Sequence, residues 1–117
     1  MICKMKYNYR VEFLKIGGDK RLVFRLPDEL RVVEMFMNSD IQSEYMSKKF
    51  KDYCTQVQNG KLKEKAFSGN IFSTTIKPDY VQIIDKYSEK NNVISIETSE
   101  LILLIEAFVN ERKKHTI

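Results

Sequence analysis

One histidine, two cysteines and sixteen carboxylates are the groups in this chain able to do acid–base, nucleophilic or metal chemistry. Their spacing argues against all three. His115 stands third from the C-terminal end, where chains are usually mobile, whereas a general base needs a held geometry. With His115 in that place, no histidine remains to activate Cys3 or Cys54 as a thiolate nucleophile. Cys54 falls among apolar positions of a predicted helix and reads as a small packing residue. No CxxC, HExxH or acidic calcium-loop spacing occurs, so no metal site is predicted. Gly17-Gly18 lacks the frame of a phosphate-binding loop. Asp28 and Glu29 are adjacent and read as a solvated turn. No catalytic residue and no cofactor are expected.

Charge and aromatic patterning carry more. Lys48, Lys49, Lys51, Lys61, Lys63 and Lys65 lie near Tyr45, Phe50, Tyr53 and Phe67. Cations with exposed rings would suit nucleic acid. The rings, however, fall on the apolar stripe of a helix or beside a strand. The favoured reading therefore puts them in the core and the lysines in solvent. The net charge of +4 hides an asymmetry: residues 79–111 carry seven acids and two lysines, against an otherwise basic chain. Such asymmetry bears on partners rather than on fold. Asp79, Asp85, Glu97, Glu100 and Glu106 make up most of that acidic third. Leu103 lies roughly 160° from the apolar stripe of its helix at 100° per residue. An apolar side chain ringed by acids suits an anchor for a partner. These six residues are the predicted partner-binding set.

The elements that must position them follow from periodicity. Residues 6–16 alternate as a strand with one buried face, Gly17-Gly18-Asp19 signals a turn, and β-prone residues resume through Leu26. Residues 28–38 read either as a helix capped by Asp28 or as a third strand, with the apolar run VVEMFM favouring the strand. Ser39 and Gln42 fit a capping box opening a helix over 39–58, with Ile41, Tyr45, Met46, Phe50, Tyr53, Cys54 and Val57 inward. Asn59-Gly60 ends it. Residues 66–76 and 79–85 form a second hairpin about Lys77-Pro78-Asp79, and VISI adds a short strand. Thr98 is the predicted N-cap of a last helix, with Glu100 in its first turn and Leu101, Leu104, Ile105 and Phe108 inward. The order ββ(β)αββα predicts a single α+β domain over 1–117: an antiparallel sheet, from an N-terminal meander and a central hairpin, packed by two helices.

A chain of 117 residues buries roughly 65% of its unfolded surface and needs no cross-link to fold. No apolar run approaches about 20 residues, so no membrane span is expected. The N-terminus lacks the apolar core of a secretory signal. The expectation is a cytoplasmic chain with both thiols free.

The segments YRVEFL, GNIFSTTIKPDYVQI and ISIETSELILLIEAFVNE, in this order, resemble the YacL-like immunity proteins of contact-dependent growth inhibition and other polymorphic-toxin systems. The resemblance lies in layout: a leading β-meander, a helix, a β-hairpin, then a short strand and polar cap opening a leucine-led helix. It implies a bacterial intracellular protein that binds one cognate protein toxin, usually a nuclease, and neutralises it stoichiometrically without a cofactor. The acids of 79–111 fit a partner with a phosphate-binding site. The net positive charge departs from the acidic character of many nuclease inhibitors. A small nucleic-acid-associated regulator using residues 48–65 is the alternative, and a homodimer is compatible with either.

Overall fold

The structure, a computed structural model, describes residues 5–88 and 93–115. Strand β1 (Arg10–Ile16) turns back into β2 (Asp19–Arg25). Ile16 pairs with Asp19, so Gly17 and Gly18 alone make the loop. Both have positive φ, 59° and 90°, as a tight hairpin turn that matches strand twist requires. This hairpin is a two-stranded sheet of its own.

Residues 28–38 are helical, not a third strand. A 3-10 turn (Asp28–Leu30) leads directly into α1 (Arg31–Ser39). Leu30, Val33, Phe36 and Met37 are buried while Arg31 and Met35 face out, which is helical spacing. The strand reading fails because this segment takes over the free edge of β2. The Asn38 side chain accepts from Phe24 N at 3.0 Å and donates to Phe24 O at 2.9 Å. Glu34 accepts from Leu26 N at 2.8 Å and from Arg25 at 3.2 Å. Two side chains thereby satisfy edge groups that a third strand would have paired.

Helix α2 (Glu44–Gln58) begins later than the proposed capping box. Ser43 is its N-cap, accepting from Met46 N at 3.0 Å. Ser39 instead closes α1, donating to Met35 O at 2.7 Å. Asp40, between the helices, is buried. Its carboxylate accepts from Phe72 N at 2.8 Å and Ile71 N at 3.1 Å, fastening the helix junction to the sheet. A side chain at Gly69 would collide with that carboxylate, which is the reason for glycine there.

A four-stranded antiparallel sheet follows in the order β3 (Lys65–Ser68), β4 (Phe72–Ile76), β5 (Tyr80–Asp85) and β6 (Val93–Glu97), and α3 (Thr98–Lys114) completes the α+β domain. Alternation selects one face: Phe72, Thr74 and Ile76 of β4, Val81 and Ile83 of β5, and Ile96 of β6 are buried. The helices cover this face, α2 over β3 and β4, α1 and α3 over β5 and β6. Phe36 sits at the centre, with ring centroids 5.1 Å from Phe50 and 6.1 Å from Phe72. Phe24 joins the hairpin to α3 through Phe108 at 4.9 Å.

Candidate functional site

Lys77-Pro78-Asp79 makes a tight turn between β4 and β5, closed by Lys77 N donating to Tyr80 O at 2.9 Å. The turn is pinned to the start of α3. Thr98 N donates to Asp79 O at 3.0 Å, and the buried Thr98 hydroxyl donates to Lys77 O at 2.7 Å. Thr98 is therefore the first helical residue rather than the N-cap; that position belongs to Glu97. Glu97 lies opposite Tyr80 across the strand pair. Glu100 occupies the first turn of α3, as the dipole favours. Tyr80 is 40% exposed, with the Lys77 ammonium 5.5 Å from its ring centroid. One end of the sheet thus sets Asp79 beside an exposed tyrosine and Glu97 opposite it, with Glu100 in the first turn of the helix that follows.

Two of those acids are already engaged. Residues 6–9 precede β1 rather than belonging to it, and they run along α3. Lys6 donates its ammonium to Glu97 and its backbone N–H to Glu100, each at 2.7 Å. Tyr7 OH donates to Glu97 at 2.7 Å, and Tyr9 OH to Glu111 at 3.1 Å. The hydrogen bond from Lys6 is the main reason that Glu97 is held down at about 2. The same pairing pushes the Lys6 ammonium and the Tyr7 phenol up. Tyr9 is raised mainly by burial, with Glu111 adding to it. Lys6 and Tyr7 join these acids only through the fold. The alternation of Tyr7 and Tyr9 was visible, but it reads equally as one face of a strand.

The remaining members of the set lie elsewhere. Asp85, at the far end of β5 opposite Phe72, accepts from Tyr87 N at 2.9 Å. Glu106 pairs with Lys51 at 3.2 Å, tying α3 to α2. Leu103 is half-buried on α3, between Glu100 and Glu106. Asp79 is exposed; Asp85, Glu97, Glu100 and Glu106 are half-buried.

The lysine-rich stretch is dispersed. Lys48 pairs with Glu44 at 3.0 Å, Lys49 sits 5.8 Å from the ring of Tyr45 and Lys65 4.7 Å from that of Tyr53. Phe50 is buried, and Tyr53 and Phe67 pack against the core. Tyr45 is 70% exposed, against the expectation that it points inward. Burial pushes the Cys54 thiol up to about 12, so it is a packing residue with almost no thiolate at neutral pH. Cys3 lies outside the described residues. His115 caps α3, its Nε2 3.8 Å from Glu111. Among the described residues no three His, Cys, Asp or Glu come together to hold a metal, and no helix is long and apolar enough to cross a membrane. No known protein family, curated protein or solved structure matches the chain.

Proposed function

We propose that this is a non-enzymatic, cytoplasmic immunity-type protein that acts by stoichiometric binding to a cognate protein toxin. The observation that supports the reading is the exposed Tyr80 with Asp79 beside it and Glu97 across the strand pair, next to Glu100 in the first turn of α3. Tyrosine set among charges is the composition of interface anchors, and carboxylates steer a basic partner. The patch rests on paired strands and a helix start fixed by Thr98, so it is presented rigidly, which lowers the ordering cost of association. Leu103, three residues after Glu100 on α3, is the half-buried apolar member of the set.

Capture from the native host with nuclease-treated lysate, followed by association and dissociation kinetics with the recovered partner, tests the reading. Asp79→Lys with Glu100→Lys should slow association and weaken its salt dependence. Tyr80→Ala and Leu103→Ala should act on dissociation, at about 1–2 kcal/mol each. A quadruple variant that binds with unchanged kinetics and still protects cells would sink this surface. Recovery that depends on intact nucleic acid would favour the regulator that uses residues 48–65.

A further inference from the structure

The β1–β2 hairpin carries a feature independent of the toxin-binding reading: its two edges are finished differently. On β2, side chains of α1 stand where a neighbouring strand would. Asn38 bonds both backbone groups of Phe24, and Glu34 accepts from Leu26 N just beyond the strand. On β1 no such cover exists. Among the described residues β1 pairs with β2 alone, and its outward backbone groups have no hydrogen-bond partner.

Which groups point outward follows from the turn. Gly17-Gly18 is a two-residue loop, so Ile16 and Asp19, which close it, exchange both backbone hydrogen bonds. Pairs of this kind alternate along an antiparallel ladder. Leu14, Glu12 and Arg10 therefore direct their N–H and C=O groups at Arg21, Val23 and Arg25, while Val11, Phe13 and Lys15 direct theirs away from β2. A two-stranded ribbon alone is marginal in water, and an open edge of this length is a template for another strand. The side chains do not close it off. Phe13 and Leu14 are 40% and 36% exposed, and no proline interrupts β1. Its cations, Arg10 and Lys15, stand towards its ends, and Glu12 is held within the hairpin by Arg25 at 3.0 Å and Arg10 at 3.6 Å.

We infer that the free edge of β1 is a dimerisation edge: the β1 strand of a second copy of this chain pairs with it, antiparallel, about a two-fold axis at Phe13, and two hairpins become one four-stranded sheet. Symmetry restricts the register. Facing residues of an antiparallel pair lie on one face of the sheet, so a two-fold axis normal to it must pass through a residue that meets its own counterpart. Centring on Phe13 overlaps all seven residues of β1. Phe13 then faces Phe13 of the second copy and Val11 faces its Lys15, so every outward N–H and C=O gains a partner. No like charges are opposed, because Glu12 faces Leu14 and Arg10 faces Ile16. Centring on Glu12 would oppose two carboxylates, which is unfavourable. Centring on Val11 or Leu14 would carry outward groups past the end of the facing strand. The edge thus complements itself best in the register that uses the whole strand. One strand pair is small against a stable interface, so the dimer is a weak one.

Sedimentation equilibrium of the full chain from micromolar to millimolar concentration tests the inference. The mass should rise from 13.8 kDa towards twice that value. Phe13→Lys removes an aromatic pair and opposes two ammonium groups at the axis, and should weaken association about tenfold. Met35→Lys, on an exposed position of α1, should leave association unchanged. The register is read by oxidative cross-linking in a Cys3→Ser background, where the remaining thiol, Cys54, is buried. At the axis facing Cα atoms are about 5.5 Å apart, within reach of a disulfide, whereas Leu14 and its counterpart lie diagonally at about 7–8 Å, out of reach. Phe13→Cys should therefore give a covalent dimer, and Leu14→Cys should not. A chain that stays monomeric at millimolar concentration, association unmoved by Phe13→Lys, or equal cross-linking at the two positions would each overturn the inference.

Discussion

Helix α3 begins among carboxylates and ends among cations, and the two ends use their charges differently. At its start Glu97 and Glu100 are bonded by Lys6 and Tyr7, and Thr98 is locked to the β4–β5 turn. These contacts join segments about ninety residues apart in the chain, so much of that charge holds the fold together. At its end Arg112 faces a cleft shared with Lys20 and Arg21. There Asp19 and Ser43 join the cations in lining it. Both ends suit the helix dipole, with Glu100 in the first turn and Arg112, Lys113 and Lys114 in the last. The difference shows that a formal charge count over a segment does not measure the charge a partner meets. Pairing across the fold decides that.

The sharpest way to separate the two ends is by stability. Thr98→Val keeps the side chain's shape but removes the hydroxyl that donates to Lys77 O in a buried site. The Lys77 carbonyl loses that donor, so the domain should lose about 1–2 kcal/mol in urea unfolding. For a domain of this size that is several degrees in Tm. A change below about 0.3 kcal/mol, the additivity error of such measurements, would show that the turn and the helix start are not coupled, and the acidic end would lose its claim to rigidity.

Acid provides a second, smaller contrast. Glu97 is depressed from 4.5 to about 2. A carboxyl held lower in the folded state contributes stability that is complete above its unfolded pKa and lost as protons bind the folded form. The contribution of Glu97 should therefore fade between about pH 4.5 and pH 2. Glu97→Gln should flatten stability through that window, and Lys6→Ala should move the loss to higher pH, both read by thermal unfolding at stepped pH. The Glu97 side chain is 39% exposed, so solvent screening keeps the effect modest. An unchanged profile in both variants would mean that the Lys6 contacts do not persist in solution.

The contrast between the ends also marks what was legible in the sequence. The turns at Gly17-Gly18 and Lys77-Pro78-Asp79 were, because they are specified by backbone chemistry that acts locally; residues 66–76, read as one arm of a hairpin, are instead two antiparallel strands, β3 and β4, with a turn between them. The apolar stripe of α3 was legible for the same kind of reason. Residues 28–38 were ambiguous because VVEMFM satisfies a strand by composition and a helix by spacing. What decided it, Asn38 and Glu34 bonding the edge of β2, is a tertiary event. Ser39 was the predicted cap, but α1 ends there, and Ser43 caps the helix that follows. The acidic set was legible as residues but not as a site, since Lys6 meets Glu97 only once the chain has closed. The cleft went unseen for a related reason. Its cations come from the hairpin tip and the chain end, and no sequence window contains both.

The smallest expected effect bears on the cleft end, and it is informative because it is small. Lys20 and Arg21 are exposed on the hairpin tip. Arg21 lies opposite Leu14 across the strand pair, and Lys20 rests over the Phe13 ring at 4.4 Å. A cation over an exposed ring contributes about 0.5–1 kcal/mol at most, and exposed cations elsewhere contribute less. Removing both charges also relieves repulsion between Lys20 and Lys15, which are paired across the hairpin. Lys20→Ala with Arg21→Ala should therefore change unfolding free energy by about 0.5 kcal/mol or less, well under the loss from Thr98→Val. It should also leave the acid profile set by Glu97 untouched. If the double variant instead destabilised the domain as much as Thr98→Val, the cations at the hairpin tip would be holding the fold in the way the carboxylates at the start of α3 do. The two ends of the helix would then be alike.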